Sequence, residues 1–313
     1  MRPASLEEYA FPGGGALGVA TLTGSRLVRV RDGTGHAHVG VVREAGLTVL
    51  DGDDMLGTLE RGVLPDVLET IVVLDGETLE LPEPWELLVP VVAPETWAAG
   101  VTYERSRSAR MHESKVVDVY ELVYEAERPE LFLKDAAGRR TVGPGAPIAA
   151  RSDAAWTVPE PELAVILGAT GALAVTIGND VSSRDIEGAN PLYLPQAKIY
   201  SRACALGPAL LVPESWNAHY YIECRILDSD GAELFCEGIS TESMRRSMHE
   251  LVEYLKRDNP VPPGSVLLTG TGLVPSDDVT LTPGHTVEIR IPGIGLLRNP
   301  VAAATELSNS QEG

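Results

Sequence analysis

The chain has 313 residues, 44% of them hydrophobic and 22% charged, with a formal net charge of −20. This suits a soluble globular protein of one large domain, or a large domain beside a small one. The negative balance argues against nucleic acid and anionic membrane surfaces as partners, because both need clustered Lys and Arg; it leaves room for an anionic substrate, since one local cation or metal can override the global field.

The opening "MRPASLEEYAFPGGGALGVATL" has acidic residues and glycines where a signal peptide needs a basic start and an apolar run, and reads as a loose extension or an irregular first segment. From Ser25 to Leu50, "SRLVRVRDGTG", "HAHVGVVREAG" and "LTVLDG" alternate apolar and polar positions between glycine turns, which predicts a small antiparallel sheet. "DDMLGTLERGVLPDVLETI" has room for one or two short helices. Pro82, Pro84, Pro90 and Pro94 then forbid a long helix and mark a linker. A small β-rich N-terminal domain is therefore expected over residues 1–90 and the main domain over 91–313.

In the main domain, "YERSRSARMHES" and "VVDVYELVYEAERPE" are charged and helix-compatible, and "LFLKDAAGRR" turns to strand. A hairpin over Thr157–Asp185 is followed by a loop, "NPLYLPQAKIYSRACALGP", and by strands from "ALLVP" to "YYIECRILDSDGAELFCEG". A helix follows, capped by Ser240 or Thr241, with Met244, Met248, Leu251, Val252 and Leu255 on its apolar face and Pro260 beyond its end. "GSVLLTGTGLVP" and "HTVEIRIPGIGLLRNPV" finish as strands, and the tail "ELSNSQEG" reads as disordered. No stretch reaches the ~18 apolar residues of a membrane span. Cys204, Cys224 and Cys236 show neither zinc-finger nor redox spacing, so a reducing cytoplasm is the simplest setting; His36 and His38 are the only clustered histidines, which argues against a His-rich metal site.

The hairpin "TVPEPELAVILGATGALAVTIGNDVSSRD" carries Glu160, Glu162 and Asp180. With its turn centred on Thr170, Leu167 opposes Leu173 and Glu160 opposes Asp180. The period of two puts Glu162 on the same face, while Leu163, Val165, Val175 and Ile177 form the other. Converging carboxylates repel one another, so the arrangement needs a divalent cation with oxygen ligands, a solvent-facing edge, or pairing with Arg151 and Arg184.

These residues resemble the metal motif of the fumarylacetoacetate hydrolase superfamily. Its E-x-E and its "N-D-x-S-x-R-D" Asp fall on Glu160, Glu162 and Asp180; a family lysine matches Lys198; the closing "T-G-T" matches Thr269, Gly270 and Thr271. The likeness runs from about Trp97 to the end. It implies a mixed β-roll C-terminal domain with few helices, a magnesium ion (or calcium or manganese) on the three carboxylates, and a homodimer or homotetramer. Hydrolytic members carry "N-Y-x-x-H", whose His activates a water. Here the matching stretch is "VTYERS", with Ser106 at the His position and His112 out of register.

"YELVYEAERPELFLK", "EGANPLYLPQAKIY" and "SMRRSMHELVEYLKRDNPVPPGSVLLTGTGLVP" look closest to the 2-dehydro-3-deoxy-D-arabinonate dehydratase branch. This resemblance implies dehydration of a 2-keto-3-deoxy sugar acid to 2,5-dioxopentanoate. It implies Glu130 as acid/base and Lys198 on the substrate carboxylate or enolate oxygen. Arg184 is a candidate to orient Asp180 or bind the substrate, with a structural ion pair as the other reading; Thr271, beside Gly270, is a candidate contact for the substrate carboxylate, or a strand-end turn; Tyr103, a candidate substrate contact, lies with Glu104 and Arg107 on an expected lid. Glu130 is otherwise an ordinary surface Glu before a strand, and Lys198 otherwise neutralises the acidic cluster. A C–C hydrolase of acylpyruvates is the alternative enzyme; a decarboxylase or tautomerase and a non-catalytic binding protein are weaker ones.

Overall fold

A computed structural model describes residues 22–43, 46–62, 64–113 and 122–309. The expected N-terminal extension up to residue 21 and the last four residues of the C-terminal tail lie outside them; the first four residues of that tail, read as disordered, complete a short helix, Ala304–Asn309.

The hairpin forms as expected and is the centre of a 12-stranded mixed sheet. Pro161–Leu167 pairs antiparallel with Ala172–Asp180, which pairs in turn with Cys204–Leu211. On the other side, Pro161–Leu167 pairs with Val266–Leu268, which runs parallel to Glu95–Gly100, and Glu130–Ala136 closes that edge. Cys204–Leu211 carries the N-terminal strands Arg26–Arg31, Ala37–Arg43, Gly46–Leu50 and Val67–Ile71 into the same sheet. These outer strands keep their own small core of Val28, Val30, Leu47, Val49, Ile71 and Leu79. A second sheet of five strands is ordered Glu233–Ser240, Tyr221–Leu227, Thr286–Ile291, Gly295–Ala303 and Ile148–Ala150. Few and short helices complete a mixed β architecture, as expected.

Both faces of the hairpin are buried, which explains why its sequence is almost continuously apolar. Leu163, Val165, Val175 and Ile177 pack towards Ile222, Cys224, Ile226, Val287, Ile289 and Leu297 of the second sheet. Ala164, Ile166 and Ala174 pack on the opposite side with Leu206, Leu268, Val39, Val41 and Leu59. Burying one such Leu, Ile or Val side chain contributes about 1.5–3 kcal/mol, so the hairpin is a rigid platform for the charged residues at its open end. Gly178 leaves room there for Leu268, whose Cδ2 would lie 2.3 Å from an added Cβ.

Four details differ from the sequence reading. A bulge between Ile166 and Leu167 sets Leu167 against Ala172, not Leu173. "DDMLGTLERGVLPDVLETI" holds a single helix, Met55–Arg61, capped by Asp54 and ended by left-handed Gly62, and then a strand; β-branched Val67, Thr70 and Ile71 suit pairing with Gly46–Leu50. The helix Met248–Lys256 is capped by Ser247, whose Oγ accepts from Glu250 N, whereas Ser240 caps a separate single turn and Met244 is extended. The stretch read as a loop after Asn190 folds into a turn, Pro191–Tyr193, and a helix, Leu194–Lys198, since Asn190 caps Leu192 N and proline is tolerated in a first helical turn.

Candidate active site

At the open end of the hairpin Asp180 N donates to Glu160 O at 2.9 Å, so Glu160 and Asp180 are opposed as the pattern requires. Glu160, Glu162 and Asp180 are all buried, and one oxygen from each lies within 4.8 Å of the others. A solvent-facing acidic edge is thereby excluded. Like charges so placed raise each other's pKa. The Glu162 carboxyl is pushed well above its ordinary value by burial first, and then by Asp180 and Glu160. It accepts a hydrogen bond from Gly270 N at 2.5 Å.

Cations gather round the cluster. Lys198, in the last turn of its short helix, places Nζ 2.7 Å from Glu160, 3.1 Å from Asp180 and 2.7 Å from Ser182 Oγ. Arg184 Nη2 is 3.2 Å from Glu160. Lys134, wholly buried, pairs with Asp180 Oδ1 and donates to Val181 O at 2.9 Å and Lys198 O at 2.6 Å. Arg151 takes no part: it pairs with Asp153 and donates to Gln196 O.

A cavity of about 20 Å³ opens beside the cluster, lined by Ala99, Gly100, Ser106, Glu130, Phe132, Glu160, Glu187, Lys198 and Thr271 among others. It therefore joins Glu130 and Lys198, far apart in sequence, to the carboxylates. Glu130 begins its strand opposite Gly100, and a Cβ at Gly100 would sit 2.1 Å from Glu130 Oε2, so the glycine gives the carboxyl its space. Lys198 Nζ also lies 5.6 Å from the centroid of the Phe132 ring. Glu160, Glu162 and Asp180 offer only carboxylate oxygens, so the donor set fits a hard divalent cation, magnesium or calcium, rather than zinc.

The remaining expected residues fall as follows. Thr271 lines the cavity, its hydroxyl bonded within its own turn to Leu273. Gly270 has φ +92, and a Cβ there would lie 2.0 Å from Thr102 Oγ1, so only glycine turns its N–H onto Glu162. Arg184 meets Glu160 and is absent from the cavity lining. Tyr103 is buried, its hydroxyl without a hydrogen-bond partner among the described residues; burial, and then Glu162, push its pKa up. It precedes the helix Glu104–Glu113, on which Glu104 is exposed and pairs with Arg107 at 3.0 Å. Ser106 lines the cavity, but its Oγ donates to Tyr103 O at 2.7 Å. The side chain of His112 lies outside the described residues.

A model of the C-terminal region of fumarylacetoacetate hydrolase matches residues 103–302. The chain belongs to the fumarylacetoacetate hydrolase family. Within this family it is 49% identical over 214 residues to a probable 2-keto-3-deoxyxylonate dehydratase of Haloferax volcanii, a stretch covering 68% of this chain and 74% of the relative. It is 45% identical over 218 residues to the 2-dehydro-3-deoxy-D-arabinonate dehydratase of Saccharolobus solfataricus, covering 68% and 73%. A solved 2-keto-3-deoxy-D-arabinonate dehydratase, complexed with magnesium and 2,5-dioxopentanoate, matches with a TM-score of 0.77 at 36% identity, over 89% of this chain and 99% of that one.

The sequence reading passed over Lys134, Ser182 and Glu187. Lys134 had a signal: it interrupts the apolar run "LFLKDA", where a buried strand position should not carry a lone charge. Glu187 stands three residues after Arg184 and so on the same helix face, a spacing visible only once that segment is known to be helical. A larger cavity, about 390 Å³, lies elsewhere between the hairpin turn and the helix Met248–Lys256. Its walls are mostly apolar, and its charged groups are already engaged: Arg257 pairs with Glu253, and Lys256 donates to Gly168 O and Ala169 O. Glu130, Glu160 and Lys198 are at the smaller cavity.

Proposed function

We propose that this chain dehydrates a 2-keto-3-deoxy sugar acid, 2-dehydro-3-deoxy-D-arabinonate or a close stereochemical relative, to 2,5-dioxopentanoate. The observation that carries this reading is the meeting of Glu130 and Lys198 in one cavity with the buried carboxylate cluster. Its support from relatives is the identity of 49% and 45% to two proteins named as dehydratases of such acids.

Glu160, Glu162 and Asp180 would hold the magnesium ion. When bound, that ion supplies Lewis acidity towards a 2-keto acid, polarising the keto group and so acidifying the protons on C3. Lys198 adds positive charge on the same side and draws the substrate carboxylate. Glu130 takes a C3 proton and returns it to the hydroxyl leaving C4, a transfer of the kind that contributes ~10²–10⁴-fold when the carboxyl lies within hydrogen-bond reach. Phe132 and the walls at Ala99 and Val101 keep bulk water from the reacting carbons.

The alternative, hydrolysis of acylpyruvates, needs a base that activates water. Ser106 stands at the position of that base, and its hydroxyl is bonded to the backbone of Tyr103, which weighs against it. We read the working form as a homo-oligomer in a reducing cytoplasm; the free thiols of Cys204, Cys224 and Cys236 support the compartment. The test is nuclear magnetic resonance of the protein and magnesium with the sugar acid and, in parallel, with acetylpyruvate. Conversion of the sugar acid to 2,5-dioxopentanoate, lost in Glu130→Gln, is the expected result. Pyruvate and acetate from acetylpyruvate, with the sugar acid untouched, would replace this reading with the hydrolase.

A further inference from the structure

Dehydration of such an acid does not end when water leaves. Loss of the C3 proton and the C4 hydroxyl gives a C3=C4 double bond conjugated to the C2 keto group, with C5 still a primary alcohol. The aldehyde appears only after C5 loses a proton as well. Glu130 accounts for the first half of this chemistry, and nothing assigned so far accounts for the second.

We propose that Glu187 is a second catalytic carboxyl, the base that takes the C5 proton; this rests on the dehydratase reading above. Glu187 is buried and lines the cavity together with Glu130. The two arrive from different walls: Glu130 from the edge strand of the large sheet, and Glu187 from the short helix Arg184–Ala189 that follows the hairpin. Arg184 is fixed on Glu160, and a residue three positions further along a helix shares its face, so Glu187 is turned to the same cluster.

The steps balance. Glu130 takes a C3 proton, the C3–H electrons form the C2=C3 bond, and the keto oxygen gains the charge. The C4–O bond then breaks as the enolate electrons form C3=C4 and restore the keto group, and Glu130 gives its proton to the departing hydroxyl. Glu187 takes a C5 proton; the electrons form C4=C5 and shift the unsaturation back to C2=C3. Glu187 returns that proton to C3, two bonds away. The resulting enol, C4=C5–OH, takes a proton from solvent at C4 and loses its hydroxyl proton, giving the aldehyde. The net change is loss of one water.

The experiment uses the full chain with magnesium and the sugar acid in deuterated water, comparing wild type with Glu187→Gln. Three signals are followed: deuterium exchange at C3, vinyl resonances of the unsaturated 5-hydroxy-2-oxo acid, and the aldehyde. The expected result is C3 exchange at the wild-type rate, accumulation of the vinyl species, and aldehyde formation slowed at least ~10²-fold. Aldehyde at the wild-type rate overturns the proposal. So does loss of C3 exchange and aldehyde in equal proportion, which marks a structural role. Should Glu187→Gln not fold, Glu187→Asp is tested with substrate deuterated at C5: a larger isotope effect on aldehyde formation with C3 exchange unchanged supports the assignment, and an isotope effect equal to that of wild type overturns it. If wild type itself leaves the sugar acid untouched, the dehydratase reading fails, a result distinct from all of these.

Discussion

Gly100→Ala tests the placement of Glu130 without touching its carboxyl. The added Cβ would lie 2.1 Å from Glu130 Oε2 and 2.6 Å from its Cδ. To reach ordinary contact at 3.4 Å the carboxyl must retreat by roughly 1.3 Å. A displacement of that size from a near-attack geometry costs on the order of 10²-fold in rate, or about 2.7 kcal/mol of barrier. The obstructing atoms are the end of a flexible side chain rather than backbone, so the fold should lose only about 1 kcal/mol, the centre of the range for single substitutions. The assay is the turnover rate for the sugar acid, with magnesium affinity measured by calorimetry on the same samples. The expected result is a rate about a hundredfold lower at unchanged magnesium affinity. A rate within twofold of wild type would refute the placement of Glu130 at the reacting carbons, and a matching loss of magnesium binding would refute the claim that Gly100 acts on Glu130 alone.

Lys134→Met should destabilise the chain by about 3–5 kcal/mol, because it strips a wholly buried cation from Asp180 and from the carbonyls of Val181 and Lys198; urea unfolding measures this, and a loss below 1 kcal/mol would contradict it. The Glu162 carboxyl is raised above its ordinary 4.5, so the stability it contributes to the metal-free protein is full below that pH and is lost as pH rises towards the folded value. The melting temperature of metal-free wild type relative to Glu162→Gln should accordingly fall with rising pH, and magnesium at a hundred times its Kd should add about 2.7 kcal/mol back; a difference that rises with pH would refute the assignment. Ser247→Ala should cost about 1 kcal/mol through the loss of its bond to Glu250 N, whereas Ser240→Ala should leave the Met248–Lys256 helix intact, as helical circular dichroism will show.

Much of the fold and site was legible because strand periodicity is strict. A period of two puts Glu160 and Glu162 on one face, and Asp180 joins them only in the register that sets it against Glu160, since a slip of one residue turns it to the other face. That register is the one formed: the pairs from Pro161 and Asn179 to Ile166 and Ala174 keep it, and the bulge at Ile166 and Leu167 changes only the last pair, so Leu167 differs from expectation while Glu160 and Asp180 are opposed. What periodicity does not encode is the return of distant segments. Lys134 meets Asp180 although its strand stands three along from the hairpin in sheet order, by way of Val266–Leu268 and Glu95–Gly100. Glu187 reaches the cavity because "SRDIEG" and "PLYLPQAK" coil into short helices, which their prolines and glycine disguise. The cap of the last long helix went to Ser247 because Arg246, anchored on Glu250 and on the carbonyls of Ala126 and Glu127, belongs to the turn before it.

The measurement that bears most directly on the central claim is calorimetric titration of magnesium into the metal-free chain, with Glu162→Gln and Asp180→Asn as comparisons. The account predicts one ion per chain for wild type and a loss of at least tenfold in affinity for either variant, with both still folded. Equal affinity in all three proteins, or none in wild type, would contradict the assignment of Glu160, Glu162 and Asp180 as a divalent cation site.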